Sequence, residues 1–175
     1  ALTKLSSVRN GNEQTLVIGK REGAYKDMPL ARPFKVKVLS SLIPQSVTVN
    51  GHPAKYQYSG EDFALLIDVP AQACDQEKVV KIVYPSEKVD LNGLLGASRR
   101  IAKSMEQLKY RNSYIVFKEE FGKMGSLSEA VTYAPSEMPA LIADFWKSYN
   151  ELPAVLERQG MKSDLATWFL QSVCW

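Results

Sequence analysis

The sequence predicts an α+β protein in which an antiparallel β-sandwich is followed by a separate all-α helical domain. Three observations indicate this class. Between residues 15 and 84, apolar residues alternate with polar ones at the two-residue period of half-buried strands. A polar, turn-rich stretch, PSEKVDLNG, then runs from Pro85 to Gly93. Beyond it, apolar residues recur at the spacing of amphipathic helices.

Six short strands are expected before residue 85. Asn50-Gly51 predicts a hairpin turn, because both residues tolerate positive φ. We expect Tyr56 and Tyr58 on the return strand, and Phe63 on a following strand that Pro70 stops. Side-chain parity then predicts a core made of Leu16, Ile18, Phe34, Val36, Val38, Val47, Val49, Leu65, Ile67, Val80 and Ile82.

We place the domain boundary in the Pro85–Gly93 stretch. Residues 1–85 are therefore expected to form the β-sandwich accessory domain, and residues 93–175 the helical domain. Limited proteolysis is expected to cut near Lys88 before it cuts within either half, because this stretch offers little apolar surface to bury.

The helical half shows several start and stop signals. Its first helix carries the apolar stripe Leu94, Ile101, Met105 and Leu108, and a second is predicted from Tyr114, Phe117 and Phe121 before Gly122. Ser126 and Glu129 have the spacing of a capping box. Ser136 and Ser163 are expected to cap two further helices, Pro139 fits a first turn, and Gly160 is expected to stop a short one.

The composition of the 175-residue chain is that of an ordinary soluble domain, with a formal net charge of +3. Its basic residues alternate with carboxylates, so we expect no nucleic-acid partner. No apolar run reaches the length of about 18 residues that a membrane span needs. Cys74 and Cys174 fall in different predicted domains and are expected to be unpaired.

We predict no catalytic, cofactor-binding or metal-ligating residue in this chain. The single histidine, His52, follows the Asn50-Gly51 turn and is expected at an exposed hairpin tip rather than in a triad or zinc site. Gly19 to Gly23, GKREG, lacks the spacing of a phosphate-binding loop and is interpreted as a tight connection.

Carboxylate and aromatic residues receive similar interpretations. The pairs Glu61-Asp62 and Glu119-Glu120 are adjacent in sequence and are expected to be solvated rather than to converge for glycoside hydrolysis. Trp146, Trp168 and Tyr149 lie on helical stripes and are interpreted as core rather than as a sugar-stacking platform, whereas the terminal Trp175 is assigned to neither.

Two segments carry a family resemblance. They are TLVIGKREGAYKDMPLARPFKVKVL, from Thr15 to Leu39, and SVTVNG, from Ser46 to Gly51. The order is a strand, G-x-R-x-G with an aromatic residue, a short loop with Arg32, an alternating strand, and a valine strand ending in Asn-Gly. This pattern resembles the C-terminal accessory β-sandwich region of glycoside hydrolase family 31, the α-glucosidase and α-xylosidase family.

The resemblance covers about the first 84 residues and implies a modular parent. The family has a TIM-type catalytic barrel that uses two aspartates and retains anomeric configuration, and it places this sandwich after the barrel. No residue here corresponds to those catalytic motifs, so the segment itself is expected to be non-catalytic. The helical half departs from the usual family ending.

The resemblance therefore implies a non-catalytic C-terminal region that supports the catalytic barrel of its parent chain. A carbohydrate-binding module, with an oligosaccharide as partner, is the second hypothesis, and a protein-interaction domain that docks through the helical half is the third. The chain opens with Ala1 and no signal-like apolar stretch. That fits either a secreted or periplasmic parent whose leader is removed, or a segment of a longer protein.

Overall fold

A computed structural model describes residues 1–85 and 89–173. The predicted α+β class is confirmed, since the described residues contain two antiparallel sheets and six α-helices. The chain divides into two compact units, one of Ala1–Ser59 with Phe63–Glu87 and one of Gly60–Asp62 with Lys88–Trp175. Lys88, Cys174 and Trp175, each named above, lie outside the described residues.

The first unit contains eight strands in two sheets. The strands are β1 (Leu2–Asn10), β2 (Glu13–Glu22), β3 (Ala31–Val38), β4 (Ser46–Val49), β5 (His52–Pro53), β6 (Tyr56–Ser59), β7 (Ala64–Ala73) and β8 (Lys78–Val83). One sheet has the order β1-β2-β8-β4-β5 and the other the order β3-β7-β6, with every pairing antiparallel.

The strand predictions need three corrections. Two strands were missed, β1 and the two-residue β5, and β5 is the return strand of the Asn50-Gly51 hairpin. Phe63 has a φ of 45° and lies before β7, because a left-handed residue does not continue a strand. Pro70 does not stop β7, which continues to Ala73.

Pro70 is tolerated because β7 is irregular at that point. The register between β3 and β7 shifts by one residue there, and β6 pairs with β7 only as far as Ile67. A proline within a strand is accommodated at such a bulge, where no ladder hydrogen bond needs its missing N–H.

The predicted inner face is confirmed in its parity. Seven of the eleven predicted core residues are buried, namely Ile18, Val47, Val49, Leu65, Ile67, Val80 and Ile82. The other four are half-buried, namely Leu16, Phe34, Val36 and Val38. Three of these lie on β3, which is the edge of its sheet and so receives less cover.

A buried polar cluster completes this unit. The Tyr84 hydroxyl donates to Gln14 Oε1 at 2.9 Å and lies 3.1 Å from Ser41 Oγ, and the Tyr58 hydroxyl donates to the Ser41 carbonyl at 2.8 Å. Burial raises the pKa of both Tyr84 and Tyr58 above the ordinary value of a phenol. Both phenols are therefore held in the neutral form.

The second unit contains the helices α1 (Leu94–Arg111), α2 (Glu119–Gly125), α3 (Leu127–Tyr133), α4 (Met138–Asn150), α5 (Leu152–Gln159) and α6 (Ser163–Val173). α1 packs on α2 and α6, and α2 also packs on α4 and α5. Its buried side chains include Ile101, Leu108, Phe121, Val131, Ile142, Leu156 and Phe169.

The helix signals were partly right. Gly160 ends α5 with a φ of 76°, and Pro139 lies in the first turn of α4, as predicted. Ser136 does not cap α4, because it lies in a 3-10 turn and Glu137 occupies the cap position. Ser163, also predicted as a cap, is instead the first helical residue of α6.

Two helix predictions were wrong. Tyr114 and Phe117 are not helical, and α2 begins at Glu119 and continues through Gly122 to Gly125. The capping box at Ser126 does not form. Its hydroxyl instead donates to the Gly122 carbonyl at 3.3 Å, because Ser126 also ends α2.

Candidate functional site

The GKREG segment lies mostly inside a strand. Gly19 to Glu22 belong to β2, and only Gly23 has the positive φ, 82°, that starts a connection. Gly19 faces the backbone of β1, where an added Cβ would lie 3.1 Å from the Lys4 carbonyl oxygen. The segment therefore shapes a strand and its exit, and no helix follows it as in a phosphate-binding loop.

A loop from Gly23 to Leu30 follows, and it is held at its far end. The Arg21 guanidinium donates to the Pro29 carbonyl at 2.6 Å, and the Cys74 N–H donates to the Leu30 carbonyl at 2.8 Å. Arg21 also donates its own N–H to the Cys74 carbonyl at 2.8 Å. We call residues 23–30 the Gly23–Leu30 loop.

The Gly23–Leu30 loop presents two large apolar side chains to solvent. Tyr25 is 57% exposed and Leu30 is 82% exposed. Because the end of the loop is already held, these two side chains would need little further ordering to contact a partner. Sequence analysis noted Tyr25 only as the aromatic residue after the G-x-R-x-G motif and did not single out Leu30.

A cleft of about 670 Å³ lies elsewhere in the first unit. His52 is exposed at its rim, as expected for the hairpin tip, and the Lys35 ammonium lies 3.9 Å from the Asp68 carboxylate. The lining is mainly apolar and consists of Pro33, Phe34, Lys35, Val49, His52, Pro53, Ala54, Lys55, Asp68, Val69, Pro70 and Gln72. The cleft suits an apolar group but carries no converging catalytic pair.

Lys78 is fully buried, although sequence analysis did not single it out. Its ammonium donates to the carbonyl oxygens of Ala73 and Gln76, at 2.6 and 2.7 Å, and lies 5.9 Å from the centre of the Phe34 ring. These contacts satisfy the charge locally and close the turn between β7 and β8. Lys78 is a structural residue.

The predicted acidic pairs do not converge. Glu120 accepts two hydrogen bonds from the Arg158 guanidinium, at 2.8 and 2.9 Å, whereas Glu119 pairs with Lys123 one turn along α2. These hydrogen bonds lower the pKa of both carboxyls. In the second unit, Asp62 pairs with Arg99 at 2.6 Å.

The groove beside α2 has a volume of about 770 Å³ and mixed charge. Four acidic and four basic residues line it, namely Glu119, Glu120, Glu137 and Asp144 with Lys118, Lys123, Lys147 and Arg158. Such a balance selects for neither an anionic nor a cationic ligand.

Trp146, Trp168 and Tyr149, which were predicted as core, are half-buried and pack on neighbouring rings. Trp146 contacts the rings of Phe145 and Tyr149 and donates its indole N–H to the Asp90 carbonyl at 2.8 Å. Trp168 packs on Phe169 and lies under the Arg111 guanidinium at 4.3 Å. The strongly exposed aromatics are others: Tyr110, Tyr114 and Tyr133, each more than 80% exposed.

Comparison with protein-family models, with curated proteins and with solved structures found no match to this chain. Among residues 1–85 and 89–173, no group of three or more His, Cys, Asp or Glu side chains is arranged to hold a metal ion. None of the described helices is long and apolar enough to cross a membrane. Cys74 is buried and forms no disulfide within the described part of the chain.

Proposed function

We propose that this chain is a non-catalytic C-terminal region of an α-glycosidase-like hydrolase and that it supports the catalytic barrel of its parent. In this proposal the two sheets form an accessory β-sandwich domain, and the helical half is a separate domain that follows it in the chain. The hydrolytic carboxylates belong to the barrel. The catalytic barrel of the parent chain is therefore the expected partner of this region.

The observation that carries the proposal is the position of the residues that resemble glycoside hydrolase family 31. The segment from Thr15 to Leu39 covers most of β2, the Gly23–Leu30 loop and β3, and the segment from Ser46 to Gly51 covers β4 and its turn. The resemblance thus follows whole structural elements in order. Its G-x-R-x-G motif contains Arg21, which holds the loop.

The Gly23–Leu30 loop supplies the proposed contact with the barrel. Burying Tyr25 and Leu30 against a partner would remove apolar surface from water, worth about 1.5–3 kcal/mol for a fully buried side chain of this kind. Because Arg21 and Cys74 already hold the loop, ordering it would consume little of that gain. A supporting domain needs such a fixed contact more than it needs reactive groups.

Immunoblotting of the source cells with an antibody raised against this chain tests the proposal. We expect a polypeptide far larger than the 19.6 kDa chain, long enough to include a barrel of about 250 residues. Detection of a free 19.6 kDa protein, or of a large parent whose sequenced peptides contain no barrel, would refute the proposal.

A double variant of that parent then tests the contact. Changing Tyr25 and Leu30 to Ser should lower its melting temperature and its turnover of a nitrophenyl α-glucoside together. Leu39→Ser is the matched control, because Leu39 is 61% exposed and lies outside the loop. If the double variant and Leu39→Ser had the same melting temperature and turnover, the Gly23–Leu30 loop would not be part of the proposed interface.

A carbohydrate-binding module is the second candidate, and the exposure of Tyr110 and Tyr114, 83% and 92%, favours it. Exposed aromatic rings stack on sugar faces through apolar contact. Titration with maltooligosaccharides should then quench tyrosine fluorescence in the wild type and not in Y110S/Y114S. Docking of a protein through the helical half is the third candidate. In that case the maltooligosaccharides should not change the tyrosine fluorescence.

A further inference from the structure

Strand β1 forms an open edge of the five-stranded sheet. All nine of its residues are exposed, and they include three apolar side chains: Leu2 at 58%, Leu5 at 74% and Val8 at 58%. β1 pairs only with β2, so its outer N–H and C=O groups have no strand partner among the described residues. An edge of this length is a template for pairing with another strand.

The other sheet edges carry features that oppose pairing. β3 contains Pro33 and places Lys35 and Lys37 along its edge. β5 has two residues, one of them Pro53, and β6 has four residues. Prolines, lysines and shortness are the usual protections of edge strands. β1 has neither proline nor shortness.

The two cations of β1 are engaged by its own unit. The Lys4 ammonium lies 3.8 Å from a Glu22 carboxylate oxygen on β2. The Arg9 guanidinium lies 4.6 Å from the centre of the Tyr84 ring. Both cations contact groups of their own unit, so neither blocks pairing at the outer edge of β1.

The positions of the apolar residues make β1 self-complementary. In an antiparallel pair of two β1 strands with Leu5 on the two-fold axis, Leu2 faces Val8 and Leu5 faces Leu5, while Lys4 faces Ser6. Every exposed apolar side chain of β1 then meets an apolar side chain, and no two side-chain cations are opposed. Shifting the register by one residue in either direction breaks all three apolar pairs.

We propose that a second copy of this chain binds β1 edge to edge, with Leu5 on the two-fold axis, and joins the two five-stranded sheets. The contact is isologous, since the same edge serves both copies. Backbone hydrogen bonds supply affinity, and the Leu2–Val8 and Leu5–Leu5 pairs set the register. The inference concerns β1 alone and does not rest on the function proposed above.

Sedimentation velocity of the full 175-residue chain tests it. At about 100 μM we expect a species of twice the 19.6 kDa chain mass. Leu5→Lys places two ammonium groups opposite each other at the axis and should weaken the dimer at least about tenfold. Leu39→Lys adds the same charge at another exposed leucine and should leave the dimer intact.

A cross-linking variant tests the register without relying on the stability of Leu5→Lys. In a Cys174→Ser background, Leu5→Cys should form a covalent dimer on mild oxidation, whereas Leu39→Cys should not. A wild-type chain that stays monomeric overturns the proposal. So does a dimer that Leu5→Lys does not weaken, or one in which Leu5→Cys fails to cross-link.

Discussion

The Arg21 guanidinium donates a 2.6 Å hydrogen bond to the Pro29 carbonyl oxygen, eight residues further along the chain. This bond ties the end of β2 to the end of the Gly23–Leu30 loop. Since the backbone N–H of Arg21 also binds the Cys74 carbonyl, one residue joins the loop to the turn after β7. The loop is therefore ordered by its neighbours and not by its own sequence.

Arg21→Ala is expected to loosen this loop. A hydrogen bond from a charged donor contributes about 1.5–3 kcal/mol, and partial exposure should reduce the loss in unfolding free energy to about 1–2 kcal/mol. Urea denaturation measures that loss, and tryptic cleavage at Lys26 should accelerate. Lys20→Ala, at the exposed neighbouring position, should change stability by less than about 0.5 kcal/mol. Equal stability of both variants would contradict the assignment.

Lys78→Met should destabilise the first unit by about 2 kcal/mol, and Lys78→Ala by more. Each variant removes the ammonium that binds the Ala73 and Gln76 carbonyls, and alanine also leaves a cavity. Thermal and urea unfolding measure the stability of the wild type and of the two variants. Lys81→Met is the control, because Lys81 lies on the same strand with its side chain exposed. A Lys78→Met protein as stable as the wild type would show that burial of the charge offsets its hydrogen bonds.

Stability should fall as the pH rises above about 10. The pKa of Tyr58 and that of Tyr84 are both raised in the folded state from 10.0. Above that pH the unfolded chain releases the two phenol protons while the folded chain retains them, so the free energy of unfolding decreases. Each phenol contributes a slope of at most about 1.4 kcal/mol per pH unit.

Urea unfolding at a series of alkaline pH values measures this slope. Tyr58→Phe should reduce it, because one differential proton is lost, while the missing bond to the Ser41 carbonyl lowers stability equally at every pH. Tyr110→Phe, at an 83% exposed phenol, is the matched control. An unchanged slope in Tyr58→Phe would contradict the assigned cause.

The isolated chain is expected to hydrolyse neither a nitrophenyl α-glucoside nor a nitrophenyl α-xyloside. The acid and nucleophile of a retaining glycosidase lie about 5–5.5 Å apart across the sugar. Here the Glu119 carboxylate pairs with Lys123, and the Glu120 carboxylate pairs with Arg158. The two carboxylates therefore do not face each other across a site. Turnover that disappears when one acidic residue of this chain is changed would overturn the non-catalytic assignment.

Limited tryptic digestion tests the predicted domain boundary. We expect the first cut near Lys88, leaving fragments that correspond to residues 1–85 and 93–175 and that unfold in separate transitions. Because Gly60–Asp62 group with the second unit, a cut in Pro85–Gly93 should leave a first fragment that lacks some native contacts of those three residues. A single transition with Lys88 resistant to trypsin would indicate one cooperative domain.

Sequence patterns predicted the strands whose burial alternates and failed where it does not. Leu65, Ile67, Val80 and Ile82 are buried as their parity requires. β1 was missed because its apolar residues are three apart and exposed on both faces, which erases the two-residue signal. Asn10-Gly11 could have indicated β1, because the same Asn-Gly dipeptide predicted the hairpin turn at residue 50 and here joins β1 to β2.

The segment before α2 shows how a distant side chain overrides a local pattern. The Gln159 amide donates to the Val116 carbonyl at 2.7 Å and accepts from the Lys118 N–H at 2.8 Å. Those backbone groups are thus paired outside a helix, although Tyr114, Phe117 and Phe121 have helical spacing. No inspection of residues 112–118 alone reveals the partner.

The sequence by itself determined the α+β class, the parity of the buried strands, the Gly160 helix stop and the absence of a phosphate-loop motif. These properties depend on residues close in the chain, through side-chain periodicity and permitted φ values. Only the tertiary structure decided the hold of Arg21 on the Gly23–Leu30 loop, the burial of Lys78 and the open edge at β1. Each depends on which distant backbone groups a residue meets, and such contacts form only when the chain folds back on itself.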